Sequence, residues 1–248
     1  MFEAKTAAGS RVNQDPGHQP GSDGAGGWFG LDLLAELQIV NLKTIDWLRA
    51  QVRQDAAETH RAAMLADNRS LWLALDDAAA AQLSACPCAL TDAEFANSET
   101  WESIAAAAVR DSAPRSRPDS GALLLDDAAG RQLARLTVNL GWHLARHRPL
   151  AATVTLGMCS GTLQQLQGMR LAAVDVLPDW LPALVRPRWH DESRVWTYLL
   201  EAAISAAPLR MESARVGALQ LIARQLARAR EQEQAQGRAA TPGRNLPG

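Results

Sequence analysis

From Leu31 onward the apolar residues fall at steps of three and four: Leu34, Leu37, Val40 or Ile39, Leu42, Ile45 and Leu48 line one face of a single long helix. The same spacing recurs along the chain, carried by Ala and Leu, while the β-branched runs that mark strands hardly occur. This pattern predicts an all-α fold of two related multi-helix units, a pseudo-dimer, followed by a C-terminal basic amphipathic helix. At 248 residues the chain can bury an adequate core without disulfides or metals.

Breaks in the apolar pattern divide the chain. Residues 1–27 are rich in Gly, Pro, Asp, Gln and Ser and read as a disordered tail, as do residues 232–248. Ser112 to Gly121 carries two prolines and no apolar anchor, and reads as a linker. Helical unit 1 therefore spans 28–111 and unit 2 spans 122–207, with the extra helix at 208–231. Within unit 1, Thr91-Asp-Ala-Glu94 has the capping-box spacing and predicts a helix that starts there and runs through Trp101 to Val109.

Unit 2 repeats the order of unit 1. Val138-Asn-Leu140 echoes Val40-Asn-Leu42. Leu184 and Trp189 echo Leu90 and Phe95 at an offset of 94, and Trp196, Leu199 and Ala202 echo Trp101, Ile104 and Ala107 at an offset of 95.

The net charge of −2 argues against a strongly basic, stand-alone nucleic-acid binder, but its distribution is uneven. Residues 31–110 hold 6 Lys or Arg against 12 Asp or Glu, whereas residues 186–230 hold 8 against 4. The extra helix places Val216, Leu219, Ile222 and Leu226 on an apolar stripe, with Arg215, Arg224, Arg228 and Arg230 supplying polar surface. Arg186, Arg188, Arg194, Arg215, Arg224 and Arg228 are the candidates for contact with DNA phosphate. No apolar stretch approaches the ~20 residues of a membrane span. The N-terminus shows no basic region followed by an apolar core, and three cysteines are too few for a disulfide scaffold, so a cytoplasmic location is expected.

Recognisable chemistry is sparse. Cys86-Pro-Cys88 is spaced too tightly for a thioredoxin-like pair and lacks the ligands of a zinc site, so it reads as a structural turn. His143 and His147 have metal-sharing spacing without a third ligand or general base, and read as a surface or interface pair. Gly157-Met-Cys-Ser-Gly161 lacks the lysine of a phosphate loop and joins two helices. Segments Gly161–Gly168 and Leu171–Leu184 could pass for a helix-turn-helix, but the second carries no Arg, Lys, Asn or Gln to read bases. No catalytic residue, metal or cofactor is expected. Eight tryptophans are many for a chain poor in other aromatics; core packing is their default, and Trp101, Trp180, Trp189 and Trp196 are candidates for a protein interface.

The second unit resembles the FlhD family, the D subunit of the enterobacterial flagellar master transcription activator. The likeness rests on the long helix with Val138-Asn-Leu140, on Val154-Thr-Leu-Gly157 followed by short helices, and on Leu184-Val-Arg-Pro-Arg-Trp-His-Asp191, where Arg188, Trp189 and Asp191 look like the stretch that closes the family's core domain. Arg215 to Leu226 is similar to the family's final helix. The resemblance covers about residues 131–230, with a fainter copy at 31–110. It implies an all-helical transcription regulator that oligomerises and binds DNA with a partner, the FlhC-type subunit. Family members are about half as long and form homodimers, so a tandem copy here would be an internal pseudo-dimer. Unit 1 has Thr91-Asp-Ala-Glu-Phe95 in place of the basic-aromatic stretch, and the family's dimer-linking cysteine falls near Val185 or Arg186. The competing expectation is a protein-interaction adaptor or anti-activator that has lost DNA binding.

Overall fold

The computed structural model describes residues 31–54, 63–109, 125, 127–180 and 184–239. Helix α1, Leu31–Gln54, begins with Asp32 in its first turn and ends with Arg53 in its last, each opposing the nearby end of the helix dipole. Its buried face is Leu33, Leu37, Val40, Asn41, Thr44, Ile45 and Leu48, so the helix is turned from the expected face: Leu34 and Leu42 are 37% exposed. Three short helices follow, α2 Ala63–Asp67, α3 Arg69–Ala74 and α4 Asp77–Ser84. Asp76 caps α4 by accepting the Ala79 N–H at 2.7 Å.

The expected helix start at Thr91 is a two-residue strand instead. Strand β1, Thr91–Asp92, pairs antiparallel with β2, Arg186–Pro187, in the register Thr91 to Pro187 and Asp92 to Arg186. Pairing with a strand 95 residues away takes up this backbone, and Glu94 then adopts a left-handed φ of 53° that an α-helix does not admit. Helix α5, Ser98–Val109, begins only after Asn97, whose side chain accepts the Thr100 N–H at 3.2 Å.

The second half runs α6 Ala128–His147, α7 Pro149–Leu156, α8 Ser160–Gly168, α9 Leu171–Trp180, β2 and α10 Ser193–Ile204. Asp127 caps α6 through the Gly130 N–H and also accepts the indole N–H of Trp47 at 3.2 Å, joining the start of α6 to α1. Gly157 closes α7 in the left-handed conformation, φ 68°, that glycine adopts without strain. Helix α11, Pro208–Ala239, runs eight residues beyond the expected end, so residues 232–239 are helical and not part of a tail. The linker 112–121, residues 1–27 and the segment 240–248 lie outside the described residues.

A long helix, three short helices, a two-residue strand and a 12-residue helix thus occur twice in the same order. Both strands and both 12-residue helices are displaced by 95 residues, as are the two left-handed corners Glu94 and Trp189. This moves the Leu90 and Phe95 echo from 94 to 95. A shift of 93 superposes the buried faces of the long helices, pairing Thr44 with Thr137, Ile45 with Val138 and Leu48 with Gly141. The Val-Asn-Leu echo is therefore out of register: Asn41 is buried and Asn139 is exposed.

Packing crosses between the halves. α5 lies on α8 and α9, while α10 lies on α2, α3 and α4, and α1 crosses α6. Buried residues of both halves form one continuous core, in which Trp72 and Trp196 meet with ring centroids 5.3 Å apart. Each such indole removes ~150–250 Å² from water, so these rings hold the halves together. Helix α11 rests on α10 and α7.

Candidate functional site

A cleft of about 790 Å³ opens between the strand pair, the start of α5 and α11. Its floor is organised by Arg188, the first residue past β2, which is only 2% exposed. Burying a guanidinium costs several kcal/mol unless its donors are satisfied. Here Nε donates to Ala89 O at 2.9 Å, and Nη2 donates to Leu156 O at 2.7 Å and Thr91 O at 3.4 Å. Nη1 donates to Gln225 Oε1 at 3.2 Å, and the carboxylate of Asp92 lies 3.5 Å from Nη2. Leu156 is the last residue of α7, so the cation sits on orphan carbonyl density at the negative end of that helix. One side chain thereby joins β1, α7 and α11.

The expectation that Arg188 contacts phosphate is corrected by this burial. Arg186 pairs with Glu94 at 3.2 Å, and Arg215 pairs with Glu212 and donates to Gln82 O at 3.1 Å. Arg194, Arg224 and Arg228 are exposed, and the last two line the cleft from α11. Trp101 and Trp196 are fully buried and Trp189 is 8% exposed, so these three belong to the core and not to an exposed interface. The indole of Trp101 donates to Ala93 O at 3.0 Å and that of Trp196 to Arg188 O at 2.8 Å. The Trp180 side chain lies outside the described residues.

No protein-family model, no curated protein and no solved structure matches the chain.

The cleft is lined by six carboxylates, Asp92, Glu94, Glu99, Asp191, Glu192 and Glu233, against four guanidinium groups, Arg186, Arg188, Arg224 and Arg228. The acidic groups come largely from the β1–α5 and β2–α10 corners, and Arg224 and Arg228 face them from α11. His190, between the two sets, has its pKa lowered from the usual histidine value, first by burial and then by Arg186, with Asp191 and Asp92 opposing. Glu233 anchors α11 here by accepting the Ser160 hydroxyl at 3.0 Å, at the start of α8.

Reading the sequence did not single out Asn41 or Gln225. Asn41 Nδ2 reaches the carbonyls of Ser84, Cys86 and Cys88 at 3.1, 3.2 and 3.0 Å, and its Oδ1 accepts the Leu90 N–H at 2.8 Å. The one signal for it was an amide on the apolar face of a helix. His143 and His147 are exposed, with ring centroids 4.7 Å apart. Among the described residues no group of three or more His, Cys, Asp or Glu is placed to hold a metal ion, and no helix is long and apolar enough to cross a membrane.

Proposed function

We propose that this chain is a non-enzymatic regulator that works by binding a protein partner at the cleft between α11 and the β1–β2 corner, in the cytoplasm. The observation that carries this reading is the fate of the arginines. Of six expected to meet phosphate, one is internal and two are ion-paired, and the cleft that holds the exposed pair Arg224 and Arg228 has more carboxylates than guanidinium groups. Such a surface repels a polyanion and complements a polypeptide bearing both signs of charge. The test is a mobility shift of duplex DNA by the full chain at low salt. No shift is expected; a shift that weakens steeply as salt rises would transfer the function to direct DNA contact.

A second reading, an FlhD-like transcription regulator acting with an FlhC-type subunit, is favoured by the recurrence of the element order and by the crossing of α5 and α10 onto the opposite halves. We read that arrangement as a pseudo-dimer produced by internal duplication, with DNA contact supplied mainly by the partner. Under this reading a DNA shift appears only when the FlhC-type subunit is added.

A further inference from the structure

We propose that Cys86 and Cys88 form a reversible intrachain disulfide that loosens the hold of Arg188 on α11. The two sulfurs are 3.5 Å apart, in contact across Pro87, and both thiols are buried. They occupy the turn between α4 and β1, which the amide of Asn41 grips by the Cys86 and Cys88 carbonyls. The next residue, Ala89, gives its carbonyl to Arg188, and Thr91 gives another. Drawing the sulfurs to bonding distance, about 2.05 Å, tightens this three-residue turn, and in the proposal the strain passes to the Cys88–Ala89 backbone and so to the acceptors that keep the guanidinium in place.

The neighbourhood also favours attack by Cys86. Its pKa is lowered, chiefly by the hydrogen bond from Cys88 and against the opposing effect of burial, with Arg215 and Arg188 adding weaker attraction, while Cys88 is raised by the same hydrogen bond and by burial. Two thiols in contact, one of which loses its proton more readily than the other, form a nucleophile with its resolving partner. With a hydroperoxide as oxidant, the Cys86 thiolate attacks the O–O bond, forming an S–O bond and releasing hydroxide or alkoxide. The Cys88 sulfur then attacks the sulfenic sulfur, the S–S bond forms, the S–O bond breaks and water leaves. Two electrons pass from the thiols to the peroxide. A dithiol reductant reverses the change by exchange. In a reducing compartment such a disulfide is transient, the form that signalling uses.

The experiment treats the folded full-length chain with hydrogen peroxide, alkylates the remaining thiols after unfolding, and maps the products by mass spectrometry. The expected result is loss of two alkylatable thiols in one peptide, restored by dithiothreitol, with Cys159 unmodified. Hydrogen exchange should quicken in α11 around Gln225 after oxidation. Cys88→Ser should instead stop at a Cys86 sulfenic acid trapped by a dimedone reagent. A disulfide that forms only in urea, equal oxidation of Cys159, or unchanged exchange in α11 would each overturn the proposal, and none of the three needs a variant.

Discussion

Trp101 and Trp196 stand 95 residues apart and make the same hydrogen bond: each indole N–H donates to the carbonyl eight residues behind it, Ala93 at 3.0 Å and Arg188 at 2.8 Å. In both, the bond spans a left-handed residue, Glu94 or Trp189, and stitches a helix to the strand before it. The corner is a local device used twice, and it sets the angle at which α5 and α10 leave the strand pair.

Replacing either indole by phenylalanine keeps most of the buried ring and leaves one buried carbonyl without its donor. Each of Trp101→Phe and Trp196→Phe should cost ~1–3 kcal/mol, and the two costs should agree within about 1 kcal/mol if the corners are equivalent. Urea unfolding of the single variants measures both. A large cost at Trp196 alone would show that its contact with Trp72, and not the corner, dominates.

Arg188 is a dense polar junction among the described residues. Arg188→Met removes the charge that Asp92 and three carbonyls face, and should destabilise the fold by ~3–5 kcal/mol. Arg188→Lys keeps the charge but cannot reach Ala89, Leu156 and Gln225 together, so it should recover only part of the loss. Gly157→Ala probes the same junction from α7: its Cβ would lie 3.1 Å from Arg188 Nη1 at a φ of +68°, for a cost of ~1–2 kcal/mol. Thermal or urea unfolding ranks the three, and a neutral Arg188→Met would remove the junction from the account.

How far these features could be read beforehand varies with the range of the interaction. The basic character of α11 is local, so composition alone revealed it, but its expected apolar stripe holds only in part: Ile222 and Leu226 are buried and Leu219 half-buried, while Val216 is 53% exposed and Met211, Ala214 and Ala218 take the inner face instead. The strand at Thr91 is not local: its residues carry a good capping-box pattern, and only pairing with Arg186 and Pro187 overrides it. Arginine burial is also silent in sequence, since Arg188 looks no different from Arg194 until the carbonyls of Ala89 and Leu156 surround it. The Val-Asn-Leu echo misled because Val and Leu recur wherever a helix is buried. The corner tryptophans registered correctly because their spacing reflects a hydrogen bond.

His190 gives the fold a directional response to pH. Its folded-state pKa lies below its ordinary value, so the folded chain resists the proton that the unfolded chain accepts. Its contribution to stability is fully present above the unfolded histidine pKa, about 6.5, and is lost as pH falls from there through the lower folded value. Unfolding midpoints measured from pH 7.5 downward should fall more for the native chain than for His190→Asn. Parallel curves for the two proteins would show that other groups carry the acid response.

The charge of the α11 wall separates the functional readings. Arg224 and Arg228 are exposed, and no ion pair fixes either among the described residues, so reversing both to glutamate should change stability by only about 0.5 kcal/mol per site. If the cleft receives a protein carrying both signs of charge, the double variant loses the attraction that steers the partner's acidic groups. A photo-crosslinker at Gln232 should then give a lower yield of partner adduct, most clearly at low salt. If the wall instead contacts DNA directly, the same variant should flatten the salt dependence of DNA binding by about one unit of slope per arginine lost. Because folding is nearly untouched in either case, a change in crosslinking with no DNA effect supports the protein-partner reading, and a change in salt slope supports the DNA reader.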